Sequence, residues 1–206
     1  MAVSIGARLD GCLRAFPAAL VASARNILRP FISYVPMQLR TITLDDTAAI
    51  DLIAQRMRAT LVEVEGEQAG GGMYSMDWLR DRVRWHLDGR AAEVVIAEDA
   101  TGAIVGHTIY RIETSADDTP FGLVSTTYVV PQARRLGVAQ QLLARAESWF
   151  RGHGLPQCCT WTSSTNAPLI ALYARNGFTQ VERAPNELTQ TLMVRLAKPL
   201  TLEDRA

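Results

Sequence analysis

The run from Phe121 to Thr162 constrains this chain more than any other. An apolar, β-branched stretch, "GLVSTTYVV", stops at Pro131. Two arginines and one glycine follow, Arg134, Arg135 and Gly137, and then a helical pattern. Val138, Leu142, Leu143, Ala146 and Phe150 recur at helical spacing until Gly152 and Gly154 end it. "QCCTWTS" then reads as a second strand. Strand 121–130, helix 137–151 and strand 157–162 make a β-α-β unit, and such units pair parallel through a right-handed crossover. Any fold for this chain has to contain that parallel pair.

The neighbouring segments predict antiparallel pairing. "EVVIAED" and "AIVGHTIYRIE" flank the turn "ATG" and read as a hairpin, and the polar loop "TSADDTP" leads into strand 121–130. Upstream, "LRTIT" reads as a strand. "LDDTAAIDLIAQRMRATLVEVE" reads as a helix with Asp45 or Asp46 as its cap. "GEQAGGGMYSM" reads as a mobile loop because of its three consecutive glycines, and "DWLRDRVRWHLDGR" resumes a helix. Downstream, Asn166 caps a short helix with Pro168 in its first turn, and "FTQVER" and "ELTQTLMVRL" close the chain as strands. The expectation is an α/β fold with a twisted mixed sheet of six to seven strands and about four helices.

At 206 residues and 48% hydrophobic, the chain has enough apolar material for one core. Residues 37–200 are expected to form that domain. Residues 1–36 form an amphipathic, basic extension and residues 201–206 a tail. Arg25 interrupts the early apolar run, so no membrane span is expected there. A formal net charge of +0 argues against a nucleic-acid partner. Cys12, Cys158 and Cys159 make no disulfide framework, and with no CxxC or His/Cys cluster no metal site is expected. Buried thiols in a reducing, cytoplasmic compartment are the simplest reading. A homodimer is left open.

The turn 131–139 carries the chemistry. A helix N-terminus exposes unpaired N–H groups and partial positive charge, so it binds anions. Gly137 lets an oxygen approach the backbone, Ala139 keeps the approach clear, and Arg134 and Arg135 add donors suited to phosphate. The plain alternative is a capped helix start with solvated arginines. There is no GKS or GKT, so this is not a P-loop, and one glycine does not make a dinucleotide fingerprint.

Arg134-Arg135-Leu136-Gly137-Val138-Ala139 resembles the Q/R-x-x-G-x-G/A pattern of the GNAT N-acetyltransferase superfamily, where it follows "YVxP", here Tyr128 to Pro131. Asn166 to Phe178, "NAPLIALYARNGF", is similar to that family's later motif. The resemblance covers roughly Leu39 to Leu196. It implies acetyl transfer from acetyl-CoA, the acyl donor, to a primary amine of a protein lysine or a small molecule, by direct attack in a ternary complex without a metal. It also implies roles. Amides from Arg135, Leu136, Gly137, Val138 and Ala139 would hold the CoA pyrophosphate, and Arg134 would support the turn. The main chain of Val129 and Val130 would hold the pantetheine arm, and Asn166 would bind the cofactor arm. Tyr173 would protonate the leaving thiolate, against the plainer reading of a core aromatic.

One departure matters. Many relatives carry a glutamate base on the strand before "YVxP", where this chain has Ser125-Thr126-Thr127. Glu113, His107, Glu63 and Glu65 are the substitute candidates, with Glu113 placed first. Direct attack with solvent taking the proton is a further option. Glu63, Glu65, Glu67, Glu187, Asp117 and Asp118 would form an acidic rim suited to a cationic acceptor, or a merely solvated surface. The missing base leaves a second class open, a non-catalytic CoA-binding sensor or interaction module. Asn166 and Tyr173 weigh against it.

Overall fold

A computed structural model describes residues 37–187 and 189–200. The extension 1–36 with Cys12, and the tail 201–206, lie outside the described residues. Seven strands form one sheet: β1 (Gln38–Thr41), β2 (Ala92–Glu98), β3 (Ile104–Thr114), β4 (Pro120–Val129), β5 (Gln157–Ser163), β6 (Thr179–Pro185) and β7 (Leu192–Pro199). Their order is β1-β2-β3-β4-β5-β7-β6. Every pairing is antiparallel except β4 with β5. The expected mixed α/β architecture is therefore present, with its parallel pair at the predicted β-α-β unit.

Helices α1 (Thr47–Glu65) and α3 (Met76–Leu87) cover one face of the sheet. Ile50, Ile53 and Met57 of α1 meet Leu79 and Val83 of α3 and Val94, Ile96 and Ile109 of the strands. Helices α4 (Val138–Gly152) and α5 (Ala167–Arg175) cover the other. There Leu142, Ala146, Phe150, Leu169 and Tyr173 pack on Tyr110, Val124, Cys158 and Val194. The α4 stripe read from sequence is buried in full. Alternation along β5 sends Cys158 to that core and Cys159 to a smaller cluster with Leu123 and Ala197.

The glycine run differs from expectation. It forms a short helix, α2 (Glu67–Gly72), rather than a loop. Gly70 lies against α1 so closely that a Cβ there would sit 2.2 Å from the Leu61 carbonyl oxygen. Arg58 of α1 donates to the carbonyls of Gly71 and Tyr74, which fastens the segment further. A glycine that permits contact between two helices reads in sequence like one that loosens a loop. In addition, Asp46 begins α1 without a side-chain cap, since its carboxylate accepts from the Thr43 N–H and from Arg40.

Candidate active site

Strands β4 and β5 pair over only three positions, Gly122 with Cys158, Leu123 with Cys159 and Val124 with Thr160. Beyond these the strands part. The register of β3 on β4 also slips at this point, leaving Ser125 as a bulge between Val124 and Thr126. Further along, the Val130 N–H donates to Val105, so antiparallel alternation turns the main chain of Thr127 and Val129 away from β3 and into the gap. The main chain of Val129 therefore faces the gap, whereas that of Val130 faces β3. The N–H of Val130 donates to the Val105 carbonyl and its C=O accepts from the Ala133 N–H, so both are already paired within the protein.

Tyr173 lies buried beside this gap. Asn166 caps α5 by accepting from the Leu169 N–H at 3.4 Å. Leu169 and Tyr173, four residues apart, then share the buried face of the helix. The Tyr173 ring meets Phe178 edge-on at 4.8 Å. Its phenol faces the hydroxyls of Thr127 and Thr160, one from each parting strand. Burial pushes the phenol's pKa up, and the two threonine hydroxyls oppose that shift. The group is thus a protonated donor at neutral pH.

Downstream of β4, Pro131–Ala133 forms a single 3-10 turn. Arg135 and Gly137 both adopt positive φ, 69° and 82°, with Leu136 between them at negative φ. Alternation of this kind curls successive amides into an anion-binding nest. The first helical bond of α4 runs from Gln141 to Gly137, so the amides of Val138 and Ala139 belong to the open first turn. Among the described residues, no protein acceptor meets an amide from Arg135 to Ala139. Five unpaired amides at a helix N-terminus fit a diphosphate. Arg134 acts as a brace: its Nε donates to the Val129 carbonyl at 3.2 Å and its Nη2 meets Glu63 at 3.3 Å. Arg135 and Leu136 are exposed.

The base candidates separate clearly. Glu113 pairs with Phe121, six residues along β4 from Thr127, or about 20 Å at strand rise. Its carboxylate is bound to Arg111. The hairpin puts the end of β3 beside the start of β4, so Glu113 lies apart from Tyr173 rather than beside it, as a base would need to be. For the same reason Asp117 and Asp118, in the β3–β4 turn, leave the acidic rim. His107 is fully buried and without a hydrogen-bond partner. Desolvation, then Arg56, lowers its pKa to about 3, so it is neutral and a feeble base. Glu63 is tied to Arg134. Glu65 accepts from Thr191 at 2.8 Å and lines a cavity with Thr60, Leu61, Val64, Thr162, Ser163 and Met193.

Cys158 and Cys159 are buried free thiols, and burial raises the pKa of each, so neither is an activated nucleophile. Sequence reading missed Thr127, Thr160, Thr162 and Thr191. Threonine is common in strands, and only the parting of β4 from β5 distinguishes Thr127, Thr160 and Thr162, while Thr191 stands out only through its hydrogen bond to Glu65.

Residues 59–178 match the family model described as the Acetyltransferase (GNAT) family. The chain is 36% identical over 95 residues to an aminoglycoside N(6')-acetyltransferase type 1 of Klebsiella aerogenes, a match over 45% of this chain and 62% of that relative. The chain thus spans less than two thirds of that relative's length. Its fold resembles an acetyltransferase of the GNAT family from Streptococcus pneumoniae, with TM-score 0.59 and 15% identity over 81% of this chain and all, 100%, of that one. It also resembles the ribosomal-protein alanine N-acetyltransferase of Escherichia coli, with TM-score 0.58 and 16% identity over 82% of this chain and 97% of that one. Sheet, parting strands, amide turn and family model agree: the chain belongs to the GNAT acetyltransferase family.

Proposed function

We propose that the protein transfers the acetyl group of acetyl-CoA to a primary amine on a small molecule, by direct attack while both substrates are bound. One observation carries this reading: a buried Tyr173 sits where β4 and β5 part, and β4 runs on through one short turn into five unpaired amides. The amides of Arg135 to Ala139 would hold the diphosphate of CoA, with Arg134 keeping the turn in place. The main chain of Thr127 and Val129 would pair with the amide-bearing arm in the gap left by β5. Asn166 supports the site by starting α5 and thereby positioning Tyr173.

In the step itself the amine nitrogen attacks the thioester carbonyl carbon. The C–N bond forms as the C–S bond breaks. Tyr173 gives its hydroxyl proton to the departing sulfur, and the proton lost by the amine restores the balance through solvent. Thr127 and Thr160 hold the phenol in place and stabilise its charged form as the proton leaves.

The aminoglycoside acetyltransferase relative supports a small-molecule acceptor over a protein lysine. A panel of aminoglycosides, alkyl amines and lysine peptides, with acetylated product read by mass, tests this. Acetylation of small amines and not of peptides is expected. Acetylation of peptides alone would overturn the choice of acceptor.

A further inference from the structure

Beneath α1, four buried polar atoms have no hydrogen-bond partner among the described residues: Arg56 Nη1, His107 Nδ1 and Nε2, and Thr126 Oγ1. Strand register places them together. His107 of β3 lies opposite Tyr128 of β4, and Ile109 lies opposite Thr126. Ile109 points into the α1/α3 core, so His107 and Thr126 face α1 as well, on diagonal positions of neighbouring strands. Arg56 reaches the same patch from α1. Its Nη2 donates to the Ile104 carbonyl at 2.6 Å, and its guanidinium carbon lies 5.3 Å from the centre of the Tyr128 ring. The His107 ring stacks on that same ring at 5.7 Å.

Charge decides what would complete this patch. A buried charge is ordinarily paired with an opposite one. The ionisable group that acts on Arg56 is Tyr128, and the one that acts on His107 is Arg56; neither is a carboxylate. Arg56, Thr126 and a neutral His107 can each donate a hydrogen bond, and none of them carries negative charge. Water would satisfy the donors but leave the guanidinium without a counter-charge. His107 is fully buried and Thr126 nearly so, an enclosure that favours a single-atom ion over a carboxylate or phosphate. We propose that the patch binds a small inorganic anion of halide size, held by Arg56, His107 and Thr126 between α1 and the β3–β4 pair. The site stands apart from the acetyl-transfer reading, although it ties α1 to the strand that carries Thr127 and Val129.

The test follows thermal unfolding of the full chain at neutral pH, with sodium chloride exchanged for sodium gluconate at constant ionic strength. Chloride should raise Tm saturably, by about 3–6 °C at roughly ten times its Kd, and gluconate, too large for the patch, should not. Thr126→Val keeps the shape and removes one donor, so it should weaken the apparent chloride Kd about tenfold. Arg56→Met keeps the stem and removes the charge, so it should abolish the chloride response. Bromide should take the place of chloride, and its anomalous scattering in crystals should give a peak beside Arg56 Nη1 and His107. A Tm indifferent to the exchange would overturn the proposal. So would a chloride response unchanged in Thr126→Val, which decides the matter if Arg56→Met fails to fold. Water rather than bromide at the patch would overturn it as well.

Discussion

Tyr173 is held with its hydroxyl protonated at neutral pH, as the proposed donor role requires. Its ring is fixed by Phe178 and its hydroxyl lies between Thr127 and Thr160. Tyr173→Phe keeps the ring and removes the donor, so it should lower kcat about a hundredfold with little change in KM for acetyl-CoA. Steady-state kinetics at saturating amine check this, and an unchanged kcat would return Tyr173 to the role of a core aromatic. Burial holds the folded pKa of this phenol above its ordinary value. The donor therefore stays protonated, and its ionisation should impose no fall in kcat up to about pH 10. The residue motif was legible because Asn166 and Tyr173 lie in one contiguous run. The position of Glu113 was not legible, for the opposite reason. Whether a carboxylate at the end of β3 meets the start or the end of β4 depends on the hairpin, and the hairpin leaves it beside Phe121.

At the scale of elements, the α1–α2 contact and the amide turn are the two places where backbone geometry decides the outcome. Gly70→Ala would push a methyl group into the Leu61 carbonyl and should destabilise the protein by about 1–3 kcal/mol. A Cβ at Gly71 meets open space, so Gly71→Ala should instead stabilise α2 by up to about 1 kcal/mol. Denaturant midpoints of the two variants check the pair, and equal shifts would contradict the packing. The strands and helices themselves followed from periodicity, since α4 buries the stripe its spacing predicted. The glycine run did not, because close helix approach leaves no periodic signal. Nor did Val130, whose availability depends on which edge of β4 its amide faces.

Across the whole molecule, two histidines are buried on the α1/α3 side. His107 has no hydrogen-bond partner. His86 has Nδ1 facing the Arg82 carbonyl at 2.7 Å and Nε2 facing Arg111 Nη1 at 3.2 Å, an arrangement that suits only the neutral ring. Desolvation is the main cause that lowers each pKa to about 3, assisted by Arg56 at His107 and by Arg111 at His86. Each depressed pKa means that the unfolded chain binds a proton that the fold refuses. Their stability contribution is complete above about pH 6.5 and is lost as pH falls toward 3. Thermal unfolding across that window should show a steady fall in Tm, lessened in His107→Phe; a Tm that is flat from pH 7 to about pH 4 would contradict it. The mixed sheet that carries all of this was legible because its one parallel pair is enforced by a helical crossover. The gap between β4 and β5 was not, since pairing that stops after three residues leaves no mark in either strand's sequence.

The most direct test of the account is a single-turnover reaction of the purified full chain with acetyl-CoA and putrescine, following free thiol and acetylated amine together. The account predicts thiol released in step with acetylated amine, no release when the amine is omitted, and a slow reaction with Tyr173→Phe. Tight CoA binding with no thiol release from any amine would contradict it and leave a CoA-binding module in its place.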